Sequence, residues 1–122
     1  MSTVLRLKSN DVWFPELPDL LDEATNNYNL VEQPEWRSLA ELSVATSLEG
    51  IDVYGDSAVI EGNKYVAPGS VFVELVYELG KDDNFSFHDS YPVRVFFTFN
   101  SDTDIKSINV EKIEIDTRSF FE

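Results

Sequence analysis

Few residues in this chain have the type and spacing to do chemistry. His88 is the only histidine, and Asp89 follows it. A histidine near a carboxylate can act as a general base, because its pKa can be poised near neutrality. Adjacent residues rarely face each other, however, and no nucleophile motif accompanies the pair. The plainer reading is a histidine in a loop or at a strand end. Asp82-Asp83-Asn84 and Asp102-Thr103-Asp104 gather oxygen ligands. A calcium loop wants six to eight oxygens, with a glycine and a distal glutamate at fixed offsets. Those are missing here, and turn chemistry explains both clusters, since Asp and Asn side chains bond their own backbone. With one histidine and no cysteine, a zinc site has too few ligands. The five glycines are single, so no phosphate-cradling loop exists, and neither G-x-S-x-G nor H-E-x-x-H occurs. Glu74, Glu78 and Asp89 could still assemble into a nuclease-like cluster in three dimensions. Carboxylates on the outer face of a strand are ordinarily just solvated. The expectation is therefore no catalytic residue, no cofactor and no metal, with the balance leaning away from an enzyme.

Charge and aromatics are more informative. The 122 residues hold 23 acidic side chains against nine Lys and Arg, a formal charge of −14. Residues 11–61 hold twelve acids against Arg37 alone, whereas residues 1–10 hold Arg6 and Lys8 and no acid. Such acidity repels phosphate backbones and anionic lipid, so direct nucleic-acid or membrane binding is disfavoured and a basic partner is favoured. Acidity also serves mere solubility. Trp13-Phe14, Trp36, Tyr54 and Tyr91 are the large aromatics outside the regular strand alternation. Tryptophan and tyrosine are frequent binding anchors, although covering the sheet is their commoner job. The terminal Phe120-Phe121 pair is expected to tuck at least one ring into the core, or else to serve as a docking tail.

The elements that must position these residues follow from periodicity. Leu17, Leu20, Leu21, Ala24 and Tyr28 fall on one helical face, Pro18 suits a first turn and Asp19, Asp22 and Glu23 suit a helix N-terminus. This predicts a helix over about 18–28. Pro34 opens a second short helix to about 41, with Trp36, Leu39 and Ala40 as its apolar stripe. Leu42, Val44, Thr46 and Leu48 alternate as a strand over about 42–54, bent near Gly50. After a turn at Tyr54-Gly55-Asp56-Ser57 come short strands at Ala58-Val59-Ile60 and Tyr65-Val66, then a break at Ala67-Pro68-Gly69-Ser70. Val71, Val73, Leu75, Tyr77 and Leu79 form the buried face of a long strand. A loop at residues 80–84 leads to Phe85 and Phe87, and Ser90-Tyr91-Pro92 is expected to break the chain again. Val93, Val95, Phe97 and Phe99 alternate in the next strand, which is aggregation-prone unless central or covered. In the last strand Ile108 and Val110 share a face with Ile113 and Ile115 only if a β-bulge at Glu111-Lys112 resets the alternation.

Helices followed by strands with short connections give an α+β fold: one or two N-terminal helices packed on a curved antiparallel β-sheet meander, cystatin-like and cone-shaped or sandwich-like. The length fits a single domain over 1–122, helical at about 15–41 and β at about 42–122. The absence of cysteine, of an apolar leader and of any apolar run near the ~20 residues of a membrane helix points to a cytoplasmic protein. The functional expectation is a small acidic, non-enzymatic interaction module of inhibitor, immunity or antitoxin type that binds a basic protein surface. Its contact residues are expected to be Asp19, Asp22, Glu23, Glu32 and Glu35, with Trp36 as anchor. The runner-up is a small-molecule-binding or enzymatic domain whose pocket Trp36, Tyr77, His88 and Tyr91 would line. A third reading is a DNA mimic with carboxylates at phosphate spacing. Oligomeric state is not legible in the sequence.

Overall fold

The computed structural model describes residues 5–7, 11–13, 15–62, 64–78, 83–99 and 108–121. Two short strands, β1 (Leu5–Leu7) and β2 (Asp11–Trp13), precede helix α1 (Leu17–Asn27). Two 3₁₀ turns, Leu30–Glu32 and Pro34–Trp36, lead into the four-residue helix α2 (Arg37–Ala40). Then come β3 (Ala45–Val53), β4 (Val59–Glu61), β5 (Lys64–Glu78), β6 (Asn84–Phe99) and β7 (Ile108–Ile115). All described strand pairs are antiparallel and belong to one sheet. The α+β class expected from the sequence is the class observed.

The long hairpin of β5 and β6 is the spine, paired from Tyr65↔Phe97 to Glu78↔Asn84. One side of β5 is shared in tandem by β4, opposite residues 64–66, and β3, opposite residues 69–76. On the far side β7 covers only residues 93–99 of β6, which places the apolar run there inside the sheet. Alternation gives the sheet an inner face of Val71, Val73, Leu75, Tyr91, Val93, Val95 and Phe97. These share one buried cluster with Leu17, Leu21, Leu30, Leu39 and Leu42 from the helical region, so the described elements form a single domain. At the C-terminus Phe120 packs against this cluster while Phe121 is exposed.

Two expectations are corrected. Neither Ala67-Pro68-Gly69-Ser70 nor Ser90-Tyr91-Pro92 interrupts its strand, because β5 and β6 run through both. A proline is tolerated in a strand where its missing N–H is not needed by a ladder. Pro68 lies between the end of β3 at Val53↔Gly69 and the start of β4 at Val59↔Val66, and only its carbonyl is used, by the Tyr54 N–H at 2.8 Å. Pro92 lies one residue past the end of β7, and its carbonyl accepts the Asp116 N–H at 2.9 Å. Gly69 has a different role. A Cβ there would sit 2.2 Å from the Asp52 carbonyl oxygen, so glycine permits the close approach of β3.

The bulge in the last strand is observed. Phe96 pairs with Lys112 and Phe97 with Val110, leaving Glu111 as the extra residue. A second bulge lies in β3, where Leu48 pairs with Val73 and Gly50 with Phe72, leaving Glu49 over. It allows both Leu48 and Ile51 to face the core.

Candidate functional site

The first candidate surface is the outward face of α1 with the adjoining part of β3. Leu17, Leu21 and Thr25 point inward, so the helix turns Asp19, Asp22 and Glu23 to solvent. Asp52 on β3 stands close by. Burial pushes the Asp22 carboxyl above its usual range, and the neighbouring charges of Asp19 and Asp52 push it in the same direction. None of the ion pairs among the described residues involves Asp19, Asp22, Glu23, Glu32 or Asp52. The carboxylates of Asp19, Asp22 and Asp52 repel one another, and no cation among the described residues pairs with them.

Glu35 and Trp36, expected on the same surface, are placed otherwise. The Glu35 carboxylate accepts the Tyr28 hydroxyl and, at 3.0 Å, the Ile113 N–H. Burial pushes this carboxyl up, but those hydrogen bonds, its own N–H and Lys112 outweigh burial and hold it below the usual range. Burial first, and then the hydrogen bond and charge of Glu35, push the Tyr28 hydroxyl well above its usual range. Trp36 is half-buried and packs against the core. Glu32 is exposed, one turn away from α1.

The four residues expected to line a pocket do not converge. Tyr91 is buried on the inner face, and its hydroxyl donates to Asp89 Oδ2 at 2.9 Å. Tyr77 is on the same face, and its hydroxyl donates to the Leu42 carbonyl at 2.6 Å. His88 is on the opposite face, exposed, with Nδ1 2.8 Å from Glu49 Oε1. The hydrogen bond and charge of Glu49, helped by Glu74, raise the His88 pKa. His88 and Asp89 therefore point away from each other and form no dyad. Glu74 and Glu78 share the outer face while Asp89 is inward, so no nuclease-like cluster forms. Among the described residues no group of three His, Asp or Glu could hold a metal ion. Residues 102–104, Asp82 and Phe14 lie outside the described residues, as does the side chain of Trp13.

Two hollows were not foreseen. An open groove of about 850 Å³ runs between α2 and β7. It gathers Arg37, Arg94, Lys112 and Arg118, four of the nine basic residues, beside Glu35, Glu41, Glu114 and Asp116. Arg94 bridges Glu61 and Glu114, Lys112 pairs with Glu114 at 3.2 Å, and Arg118 pairs with Asp116 at 2.7 Å. Arg37 has no such partner among the described residues. The bases come from α2, β6, β7 and the C-terminal turn, a gathering that depends on tertiary structure and leaves no linear signal. A smaller hollow of about 260 Å³ lies between the end of α1 and the β3 bulge. It is lined partly by Thr25, whose buried hydroxyl has no hydrogen-bond partner among the described residues, and by Leu48, Gly50 and Ile51.

Comparisons with protein-family models, with curated proteins and with solved structures gave no match to this chain. Among the described residues no helix is long and apolar enough to cross a membrane.

Proposed function

We propose that this protein is a small acidic interaction module that docks onto a basic protein surface through the outward face of α1 and the adjoining Asp52. The observation that carries this reading is the crowding of Asp19, Asp22 and Asp52, none of which has an ion-pair partner among the described residues. Uncompensated like charge costs folding stability, and an opposing positive surface would relieve it on binding. Opposite potentials also speed encounter, by orders of magnitude at low salt. Asp19, Asp22, Glu23 and Glu32 remain the proposed contacts, joined by Asp52. Glu35 and Trp36 act as support behind them. The frame is read as the cone-like alternative, one antiparallel sheet wrapped on a helical layer, supported by the single sheet and by the bulges at Glu49 and Glu111.

The test compares the wild-type chain with a variant carrying Asp19→Lys, Asp22→Lys and Glu23→Lys, each immobilised at low salt in native lysate. Basic proteins held by the first, absent from the second and released as salt rises support the reading. Equal retention by both overturns it.

The groove between α2 and β7 favours a second reading, a site for a small organic anion. Its volume falls in the ~300–1,000 Å³ range of ligand sites, and Arg37 on its wall is a cation with no ion-pair partner among the described residues. A thermal-shift screen of organic carboxylates and phosphates tests it, with Arg37→Ala required to abolish any stabilisation.

A further inference from the structure

Among the described residues the sheet has three long open edges, and two of them are blunted. The outer edge of β3 carries the Glu49 bulge. The outer edge of β7 carries the Glu111 bulge, and Glu35 occupies the Ile113 N–H. The third edge, residues 84–90 of β6, has no bulge, no proline and no described strand opposite it, and only at its Ser90 end is an edge N–H taken, by Asp89 Oδ1 at 2.8 Å. Exposed, regular edges of this kind invite another strand.

The direction of the backbone groups on that edge is fixed by the ladder. Val76 turns toward β3, since its carbonyl accepts the Val44 N–H at 3.0 Å and its N–H donates to Ser43 Oγ at 3.3 Å. Leu75 and Tyr77 therefore turn toward β6, where Phe87 and Phe85 face them. Ser86 and His88, between and beyond those two, direct their N–H and C=O groups to the open edge. Pro92 is in the same phase, its carbonyl being used on the β7 side.

The side chains around this edge describe its partner. On the inner face Phe85 and Phe87 are 43% and 37% exposed, past the reach of the helical layer. They stack with Tyr77 at centroid distances of 5.3 and 5.7 Å, forming an aromatic shelf. On the outer face Glu74 and Glu78 are paired with His88 and Asn84, while Ser86 and Ser90, opposite Val76 and Phe72, place only small side chains between the edge and these diagonally placed carboxylates. Asp83 adds another acid at the end of the edge, Asp89 is inward and bonded to Tyr91 and the Ser90 N–H, and His88, bonded to Glu49, is the only basic group among the described residues there. In the adjoining loop sequence Lys81 and Asp82 cancel. A second copy of the chain would bring the same carboxylates against these.

We propose that residues 84–90 of β6 accept, as an added strand, an extended basic segment of the partner protein that alternates apolar and cationic side chains. The apolar side chains would lie beside Phe85 and Phe87, and the Lys or Arg side chains would cross Ser86 and Ser90 to Glu74 and Glu78. Main-chain bonds to Ser86 and His88 supply the affinity and the alternation supplies the specificity. This rests on the proposed basic partner and names where its anchoring strand sits.

The probe is a capped peptide of about eight residues alternating valine and lysine, with an isomer of the same composition in which like residues are paired. Each is titrated into the isotope-labelled full chain and followed by amide shifts. Binding of the alternating peptide with shifts at residues 84–90, weakened about tenfold or more by Ser86→Pro, is the expected result. Pro68 and Pro92 show that the ladder accepts proline in this phase, and Phe85→Ser, a change at an exposed site, is the second variant and should weaken the same binding. If both peptides bind alike and shift only α1 and Asp52, the edge proposal is overturned and the acidic-face reading stands. If neither binds, the edge proposal is overturned, and the acidic-face reading is decided by the lysate comparison of the wild-type and charge-reversed chains. If the chain self-associates through this edge and Ser86→Pro abolishes that, the occupant is a second copy and the proposal is overturned.

Discussion

The Glu35 carboxylate caps the backbone N–H of Ile113 from 78 positions away in the chain, at 3.0 Å. The contact has a geometric cause. Ile113 pairs with Val95, whose backbone groups face β5, so Ile113 turns its own N–H to the outer edge of the sheet. Two residues earlier the Glu111 bulge has opened the strand, and the Tyr28 hydroxyl, bonded to Glu35, lies 3.4 Å from the Glu111 carbonyl. Helix end, 3₁₀ turn and bulge are thus tied at one carboxylate.

Glu35→Ala is expected to cost about 2–3 kcal/mol in urea unfolding, since it strips a charged acceptor from two half-buried donors. The pH dependence follows from the lowered carboxyl pKa of Glu35. A folded-state pKa below the unfolded one contributes stability that is present above the unfolded value and lost as pH falls through the folded one. Wild type should therefore lose part of its margin over Glu35→Gln as pH drops below about 4.3. A margin that is constant between pH 7 and pH 3 would show that the carboxylate charge is not what Tyr28 and Ile113 recognise.

Two glycines in neighbouring strands should respond oppositely to alanine. At Gly69 the new Cβ meets the Asp52 carbonyl at 2.2 Å, and backbone must move. Gly69→Ala should cost about 3 kcal/mol. At Gly50 nothing lies within 4 Å of the added Cβ. Gly50→Ala should stabilise by about 0.5 kcal/mol, chiefly by restricting the unfolded chain. Equal effects in denaturant titrations would contradict the close approach of β3 to β5.

His88 should titrate above its ordinary value because of the hydrogen bond and charge of Glu49, with a smaller contribution from Glu74. In NMR titration of the imidazole, Glu49→Gln should bring the midpoint down toward about 6.5. Glu74→Gln should move it less. Because the folded-state pKa is raised, whatever stability the pair provides is present below the unfolded pKa and fades as pH rises through the folded one. An unchanged midpoint in Glu49→Gln would mean that the bulge does not hold the glutamate against the ring.

Much of this frame is legible in local pattern. The α1 face, the short α2 and the alternation of β5 and β6 are written in the spacing of Leu17 to Tyr28, Val71 to Leu75 and Val93 to Phe99. The Glu111 bulge is visible because Ile108, Val110, Ile113 and Ile115 share a face only with one residue to spare. The β3 bulge leaves the same kind of trace, since Leu48 and Ile51 both face inward although three positions apart. Pro68 and Pro92 misled because a proline's effect depends on which side of the strand needs its N–H. That is set by where β3, β4 and β7 end, a tertiary fact. For the same reason Glu35 reads as a surface acid in sequence, while its hydrogen-bond partner belongs to the far end of the chain. The meeting of Asp52 with Asp22, and of four bases in the α2–β7 groove, is likewise made by pairing across the sheet.

The acidic face should trade stability against binding. Asp22 has a raised carboxyl pKa, first from burial and then from Asp19 and Asp52. A folded-state pKa above the unfolded one means that the ionised group opposes folding. The associated stability is full below about 3.8 and lost as pH rises through the folded value. Asp22→Asn should therefore stabilise the free protein at pH 7 by about 0.5 kcal/mol, a figure kept small because the site is solvent-accessible and screened. The gain should shrink with added salt and vanish near pH 3. The same substitution should slow association with a basic partner, because it removes one of the charges that steer the encounter. A variant that is neither more stable at pH 7 nor slower to associate would show that the carboxylates of Asp19, Asp22 and Asp52 are too well solvated to act together, and the docking face would have to be sought elsewhere.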